Sequence, residues 1–427
     1  MKEYGRQQQQ ARRKANKRKQ RRMRRVRKCA RQAGMNMLDD VALQGAQSHI
    51  QDVLEEERES FLERKRYERT SDESFKGYRN GYSKPRKLTL GCGQVQVQMP
   101  RVRDSARRFR SGLVGRYQRT GRKLLDALPE MYLHGISLGD FQEALQTLLG
   151  TGAGLSASSI VRLKRKWHAD YMAFSTAPLE SHYVYVWADG IYLRVGGARD
   201  KLALLVVVGA DTEGRKRLLA LIPGERESYA QWLEVFRDLA ERGVKWIGLM
   251  IADGIPGLWR AVGEAFPDAL CQRDWMHKKG NVLDKLPKRK QKQAQQDLNR
   301  IYYAETKEEA TKWMVYFADQ YRAHPAAVEC LLKNQQELLA YYAFPKEHWR
   351  HIRTSNPIES PFAAVRSRLR RAKRIVQYWS ALGLVHQLML VRQRRWHRLN
   401  APELVAEVIA GAKYRNGIKV KEAKRNA

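Results

Sequence analysis

Two aspartates and one glutamate stand where chemistry can be done. Asp189 lies within the apolar stretch VWADGIY, and Asp253 closes a second one, LMIADGI. Each is followed by glycine, which leaves room for a ligand close to the backbone. Two carboxylates brought together away from water repel each other unless a proton or a cation sits between them. Hard oxygen donors of this kind select Mg2+ or Mn2+. The third acid, Glu359, is the only Asp or Glu between His348 and Pro402, a span with about a dozen Lys and Arg. Three carboxylates can hold two divalent ions about 3.5–4 Å apart, which activate an attacking oxygen and stabilise a leaving one. The surrounding Arg and Lys would then bind the phosphates of a substrate. Each acid also has a structural reading. Asp before Gly at a strand end is commonly a turn residue. Asn356, Pro357 and Glu359 fit N-cap, N1 and N3 of a helix, while Pro361 points to a start at Ser360 instead.

Bringing positions 189, 253 and 359 together requires a particular order of elements. HYVYVWADGIYLRVGG, KLALLVVVGADTEG and RKRLLALIPGE read as three strands joined by short turns. SYAQWLEVFRDLAERG is an amphipathic helix, VKWIGLMIADG a buried fourth strand, IPGLWRAVGEAFP a helix and DALCQRDWM a short fifth strand. Three meandering strands followed by helix, strand, helix, strand is the order of a ribonuclease H-like α/β sheet. In that order the first and fourth strands are neighbours, so Asp189 and Asp253 meet at one edge. Residues 282–349 are polar, rich in Gln and Lys and helical in spacing, as an all-helical insertion would be. The helix after it carries Glu359. One face, with Phe362, Val365, Leu369, Ala372, Val376 and Trp379, should pack on the sheet; another, with Arg366, Arg370, Lys373 and Arg374, should meet a polyanion.

The whole chain leans the same way. Its 427 residues include 81 Lys and Arg against 45 Asp and Glu, a formal charge of +36. So large and clustered an excess predicts a nucleic-acid partner. The four cysteines are scattered with no CxxC pair, so neither a disulfide framework nor a zinc ribbon is indicated, which suits a reducing cytoplasm. The longest apolar run, LALLVVVGA, is too short to span a bilayer.

Residues 1–33 hold almost no apolar side chains and read as a disordered basic arm. Residues 34–176 read as a mainly helical DNA-binding region with a β-hairpin. It opens with a helix over about 39–69. VQVQM after the turn signal GCGQ then gives the hairpin, flanked by Arg79, Lys84, Arg86 and Lys87 as contacts to the DNA backbone. RKLLDALPEMYLHG, ISLGDFQEALQTLLG and LSASSIVRLKRKWHADY resemble a helix-turn-helix unit whose last helix would offer Arg162 and Lys166 to a groove. The catalytic core is expected in two parts, 177–281 and 350–399, with a basic tail over 400–427.

Taken together, YRNGY with VQMPRVR, HGISLGDFQEAL, LSASSIVRLKRKW, VWADGIYLRV, IADGIPGLWRAV, CQRDWMHKKGNVLDKLPK and RTSNPIESPFAAVRSRLR resemble bacterial insertion-sequence transposases of the Mutator-like group. The resemblance spans roughly residues 35–410. It implies a DDE triad of Asp189, Asp253 and Glu359 that binds metal, acts on the terminal inverted repeats of an element, and works as a dimer or larger assembly on double-stranded DNA in the bacterial cytoplasm. It also implies a role for a motif read here as Asp274-Trp275-Met276-His277. His277 either orients DNA or touches the scissile phosphate; a structural Asp274–His277 hydrogen bond is the alternative. Gly280 departs from the pattern, since relatives commonly carry a basic residue there. A ribonuclease H-like nuclease or resolvase shares the acids but needs neither the insertion nor the N-terminal region. A domesticated DNA-binding protein has no use for three converging acids.

Overall fold

The computed structural model describes residues 37–68, 75–133, 157–194, 201–224, 226–371 and 378–420. The basic arm, the middle helix of the expected helix-turn-helix and Arg374 lie outside the described residues. The chain divides into two compact units, Met1–Ser158 and Ser159–Ala427.

In the first unit, helix α1 (Met37–Leu62) is followed by strands β1 (Tyr78–Tyr82), β2 (Arg86–Leu90), β3 (Gly93–Val97) and β4 (Pro100–Arg103), then by helix α2 (Arg122–Leu133). The predicted hairpin is β2–β3, with Leu90 opposite Gly93 and a two-residue turn between them. Its alternation buries Leu88, Val95 and Val97 against Leu43, Ala46 and Ile50 of α1. A second antiparallel pair, β1–β4, brackets the hairpin and was not foreseen. Helix α1 ends at Leu62, short of the expected 69.

The second unit begins with α3 (Ala157–Ser175), followed by β5 (His182–Arg194), β6 (Lys201–Ala210) and β7 (Lys216–Gly224). Then come α4 (Tyr229–Glu241), β8 (Trp246–Ala252), α5 (Pro256–Ala265), β9 (Leu270–Arg273) and α6 (Trp275–Leu283). Every predicted strand and helix of this stretch is present. The strands form one mixed sheet in the order β7-β6-β5-β8-β9. β5 pairs antiparallel with β6 and parallel with β8. β6 is a continuous apolar run because side chains from Ala203 to Ala210 are buried on both faces. On one face α4 and α5 cover the sheet with Trp232, Phe236, Leu239, Leu258 and Val262. Ser228 caps α4 by accepting from the Gln231 N–H, and Pro256 opens α5.

Helices α7 (Lys288–Tyr303), α8 (Lys307–Gln320) and α9 (Pro325–Leu332) follow, then single-turn helices up to Ile352; no strand occurs among the described residues from 288 to 352. Helices α10 (Asn356–Arg371), α11 (Tyr378–Gln393) and α12 (Glu403–Ile409) and a small hairpin, β10 (Tyr414–Arg415) with β11 (Ile418–Lys419), complete the unit. α10 lies against β5 and α11 against β7. Phe362 and Val365 are buried as expected, whereas Trp379 belongs to the next helix. Helix α3, grouped by sequence with the N-terminal region, packs with the sheet unit: the Tyr171 hydroxyl donates to the Leu221 carbonyl at 3.0 Å, and Gln387 of α11 donates to Asp170 at 3.1 Å. Among the described residues no helix is long and apolar enough to cross a membrane.

Candidate active site

The parallel register of β5 and β8 places the first two acids. Trp187 stands opposite Ile251, the last registered pair. Two residues further along the chain from each are Asp189, within β5, and Asp253, just past the end of β8. Burial pushes the Asp189 carboxyl up to about 7, opposed by the Gly190 N–H it accepts at 2.7 Å and reinforced by the charge of Asp253. The folded state therefore holds this proton more tightly than the unfolded chain. The group favours folding below the ordinary carboxylate range, and that contribution is lost as pH rises through about 7. Asp253 accepts from the Ile255 N–H at 3.2 Å. The turn between them runs through Gly254 at φ +89°, where a side chain would be strained.

A fourth carboxylate, Glu227, was missed by the sequence reading. It sits in the turn before α4, and an added Cβ on Gly190 would lie 2.3 Å from its carboxyl. The glycine expected to admit a ligand thus admits Glu227. Burial raises the Glu227 carboxyl, and the Asp253 charge raises it further. Glu227 and Asp253 both contribute to holding Asp189 protonated. Glu227→Gln is therefore expected to bring the Asp189 midpoint down from about 7, as read by carboxyl NMR titration of the metal-free protein. An unmoved midpoint would show that Glu227 does not act on Asp189.

The third acid arrives through Asp274. This residue is fully buried and caps α6, accepting from the His277 N–H at 2.7 Å. Its other oxygen accepts from the Ser355 N–H and from the Ser355 hydroxyl, the latter at 2.9 Å. The same hydroxyl oxygen lies 2.9 Å from Glu359, so its one proton is shared between the two carboxylates, and the Asp274 N–H donates to the Ala252 carbonyl at 2.7 Å, one residue before Asp253. The buried Asp274 carboxylate thus ties the start of α6 to the entrance of α10, while the backbone N–H of the same residue holds the end of β8. The expected Asp274–His277 hydrogen bond exists, but through the backbone. The His277 ring is free to turn to Glu359, with Nε2 3.0 Å from Oε1. His277 also adds a stabilising charge interaction to Asp189. Helix α10 begins at Asn356, with Ser355 before it, and continues through Pro361. The sequence predicts Asn356 as the cap or Ser360 as the start, and the helix begins at the earlier of the two positions.

α6 is held from behind by the helical segment. Lys278 donates to Asn334 at 3.1 Å, Arg273 donates to the same oxygen at 2.6 Å, and Lys279 donates to Asn299 at 2.8 Å. Burial lowers both lysines to about 8. The buried Arg353 guanidinium lies over Tyr341 at 4.5 Å, Tyr302 at 4.9 Å and Trp349 at 5.0 Å, and its carbonyl accepts from the Trp275 N–H at 3.0 Å. Cation–π contacts of this kind fix the backbone that leads into Ser355 and Glu359.

The donor set suits a hard divalent cation. Asp189 and Asp253 are neighbouring carboxylates, and burial with the Asp253 and Glu227 charges raises the first to about 7. Asp274, His277 and Glu359 each offer one ligand atom within 4.8 Å of the others. Both Asp274 oxygens are already committed to hydrogen bonds, so Glu359 and His277 are the members of that group left to face a substrate. Their side chains are 36% and 41% exposed. A cleft of about 590 Å3 opens beside them, lined by Asp253, Arg273, Met276, His277 and Gly280.

A family model described as "Transposase, Mutator family" matches residues 17–398. The chain belongs to the Mutator family of transposases. It is 42% identical to the transposase for insertion sequence element IS6120 of Mycolicibacterium smegmatis, over 68% of this chain and 91% of that one. It is likewise 42% identical to the transposase for IST2 of Acidithiobacillus ferrooxidans, over 65% of this chain and 95% of that one. Against the transposase for ISRM5 of Rhizobium meliloti the identity is 29% over 82% of this chain and 87% of that one. Transposases act on DNA, and the basic residues of this one divide into two kinds. Lys84, Lys87, Arg162, Lys166 and Arg366 are exposed. Arg79 is bound to Glu59 at 3.2 Å and to the Arg64 carbonyl at 3.1 Å. Arg86 donates to the Arg116 carbonyl at 2.8 Å and the Gly115 carbonyl at 3.1 Å. These two guanidiniums serve the fold of their own unit, a commitment that spacing along the chain does not reveal. The Arg370 side chain and Arg374 lie outside the described residues.

Proposed function

We propose that this transposase cuts and joins DNA by a DDE mechanism in a ribonuclease H-like core, with Asp189, Asp253 and Glu359 holding two divalent cations, Mg2+ or Mn2+. The observation that carries this reading is the register of β5 and β8. Asp189 and Asp253 each follow the last registered pair by two residues, and burial, with the charges of Asp253 and Glu227 added, raises the Asp189 carboxyl to about 7. The strand order β7-β6-β5-β8-β9, with a helix after β7 and another after β8, supports the ribonuclease H-like assignment. The helices from Lys288 to Ile352 would be an insertion between the core segments 177–281 and 350–399.

When bound, the cations activate the attacking oxygen and stabilise the leaving one. The protein's own residues do the rest. Asp274 fixes His277 and Ser355, and Ser355 with His277 holds the Glu359 carboxylate in one orientation. Arg366 on the same helix would take a phosphate. Water adds across the P–O3′ bond at an element end, leaving a 5′-phosphate and a 3′-hydroxyl. That hydroxyl then attacks a second phosphodiester, forming one P–O bond as another breaks. No protein nucleophile is required, and burial, aided by the Glu337 charge, pushes the nearby Cys271 thiol up to about 12, far from a reactive thiolate. Terminal inverted repeats as the recognised DNA, a homodimer or larger assembly, and a bacterial cytoplasmic setting belong to the same proposal.

The direct test incubates the protein with its flanking element ends and Mg2+ and maps the strand breaks. Joined strand-transfer products are expected. Cleavage without joining would favour a nuclease or resolvase, and binding alone a domesticated DNA-binding protein. Metal affinity should also depend on pH, because a carboxylate must lose its proton to bind a cation. With Asp189 protonated below about 7, the apparent Mn2+ affinity is expected to fall about tenfold per pH unit on the acid side and to level off above it. Isothermal titration across this range reads it; a flat profile would remove Asp189 from the ligand set.

A further inference from the structure

The first unit contains an irregular segment, residues 104–121, which links β4 to α2 and carries five arginines, Arg107, Arg108, Arg110, Arg116 and Arg119, against one acid, Asp104. Most connections are far shorter, and long ones without helix or strand usually serve a function. The fold holds this one in a defined shape. Glu57 of α1 accepts from the Gly112 N–H at 3.0 Å and the Leu113 N–H at 2.9 Å. Thr89 donates its N–H to the Arg119 carbonyl and accepts from the Gly121 N–H, both at 2.8 Å. Arg86 spans the Gly115 and Arg116 carbonyls. These anchors consume backbone groups and leave the arginine side chains outward: Arg107, Arg108, Arg110, Arg116 and Arg119 are all exposed.

Beside the segment lies a cleft of about 430 Å3 lined by Arg86, Arg108, Arg110 and Arg116 with Met99 and Phe109, and by no carboxylate. Arg110 also lines a neighbouring cleft with Glu56 and Glu57, but the four arginines of this concavity face no carboxylate among its lining residues, a charge excess that favours an anion. Burial and the Arg119 charge both push the Arg86 guanidinium down, as expected for a cationic site lacking its counter-charge. Guanidinium is the side chain best shaped for phosphate.

We propose that segment 104–121 is a clamp for the DNA backbone: Arg108, Arg110 and Arg116 neutralise phosphates at this cleft, and Arg86 holds the segment in shape as a positioning residue. The contact is to phosphate and hence independent of sequence. It rests on DNA as the transposase's substrate and is separate from the acids of the active site. It also reassigns Arg86 from a contact to a support.

The test measures binding of the full-length protein to a short labelled duplex across a salt series, in EDTA so that catalysis plays no part. Neutralising all three contacts (Arg108→Ala, Arg110→Ala and Arg116→Ala together) should flatten the slope of log K against log salt by about 2–3, since each phosphate contact contributes about 0.9. Binding to unrelated sequences should weaken equally. As a second reading on the unmodified protein, bound duplex should slow tryptic cutting after Arg108 and Arg110. A folded triple variant with the parent slope, or equal tryptic cutting with and without duplex, would overturn the proposal.

Discussion

Asp253→Asn is expected to lower metal-dependent nicking of an element-end duplex by about three orders of magnitude or more while leaving duplex binding intact. Metal catalysis supplies several kcal/mol of transition-state stabilisation, and each 1.36 kcal/mol is a factor of about ten in rate. An amide at position 253 keeps the shape and the bond from the Ile255 N–H at 3.2 Å but removes the charge proposed to bind a cation. The same change should make the metal-free protein more stable at neutral and alkaline pH. It removes a negative charge that raises the Asp189 carboxyl, so less is lost when Asp189 ionises. Loss of activity with gain of stability separates removal of a ligand from damage to the fold. Gel assays of nicking with parallel thermal melts measure both, and activity within tenfold of the parent would exclude Asp253 from the chemistry.

Asp274→Ala is expected to be the most damaging substitution for stability around the site, by about 2–4 kcal/mol. The cap of α6 is worth about 1 kcal/mol, and the Ser355 N–H left buried without an acceptor costs about 1–3 kcal/mol more. For a folding unit of this size that lowers Tm on the order of 10 °C. Activity should fall further than the melt alone explains, because His277 and Glu359 lose their common support. Asp274→Asn should be intermediate, since its carbonyl can still accept but its NH2 faces donors. Calorimetry of the two variants beside the parent checks the order; a melt unchanged in Asp274→Ala would mean the carboxylate is not the tie between α6 and the entrance of α10.

Much of this arrangement was readable along the chain. Continuous apolar runs gave β6 and β8, and their order with β5 put Asp189 and Asp253 on neighbouring strands. The charge context of Glu359 marked it as unusual. What spacing could not show were partnerships across long stretches of chain. Ser355 reaches Asp274 across 81 residues, and Asn334 takes Lys278 across 56. Glu227 escaped notice because nothing near it in sequence sets it apart; only the chain's return over Gly190 does. Arg79 and Arg86 read as free cations because their acceptors lie far along the chain: for Arg79 a glutamate 20 residues back on α1, for Arg86 two carbonyls of a later segment. Pro361 argued for a later helix start, yet α10 accommodates it within its second turn.

The proposed convergence of the three acids on one cation site is tested most directly by replacing Mg2+ with Fe2+ and letting the metal cut the polypeptide with locally generated hydroxyl radicals. Backbone breaks are expected in three separate places, near Asp189, near Asp253 and between Ser355 and Glu359, all suppressed by excess Mg2+. Breaks near the first two without any near Glu359, in the protein alone and on an element-end duplex alike, would contradict it.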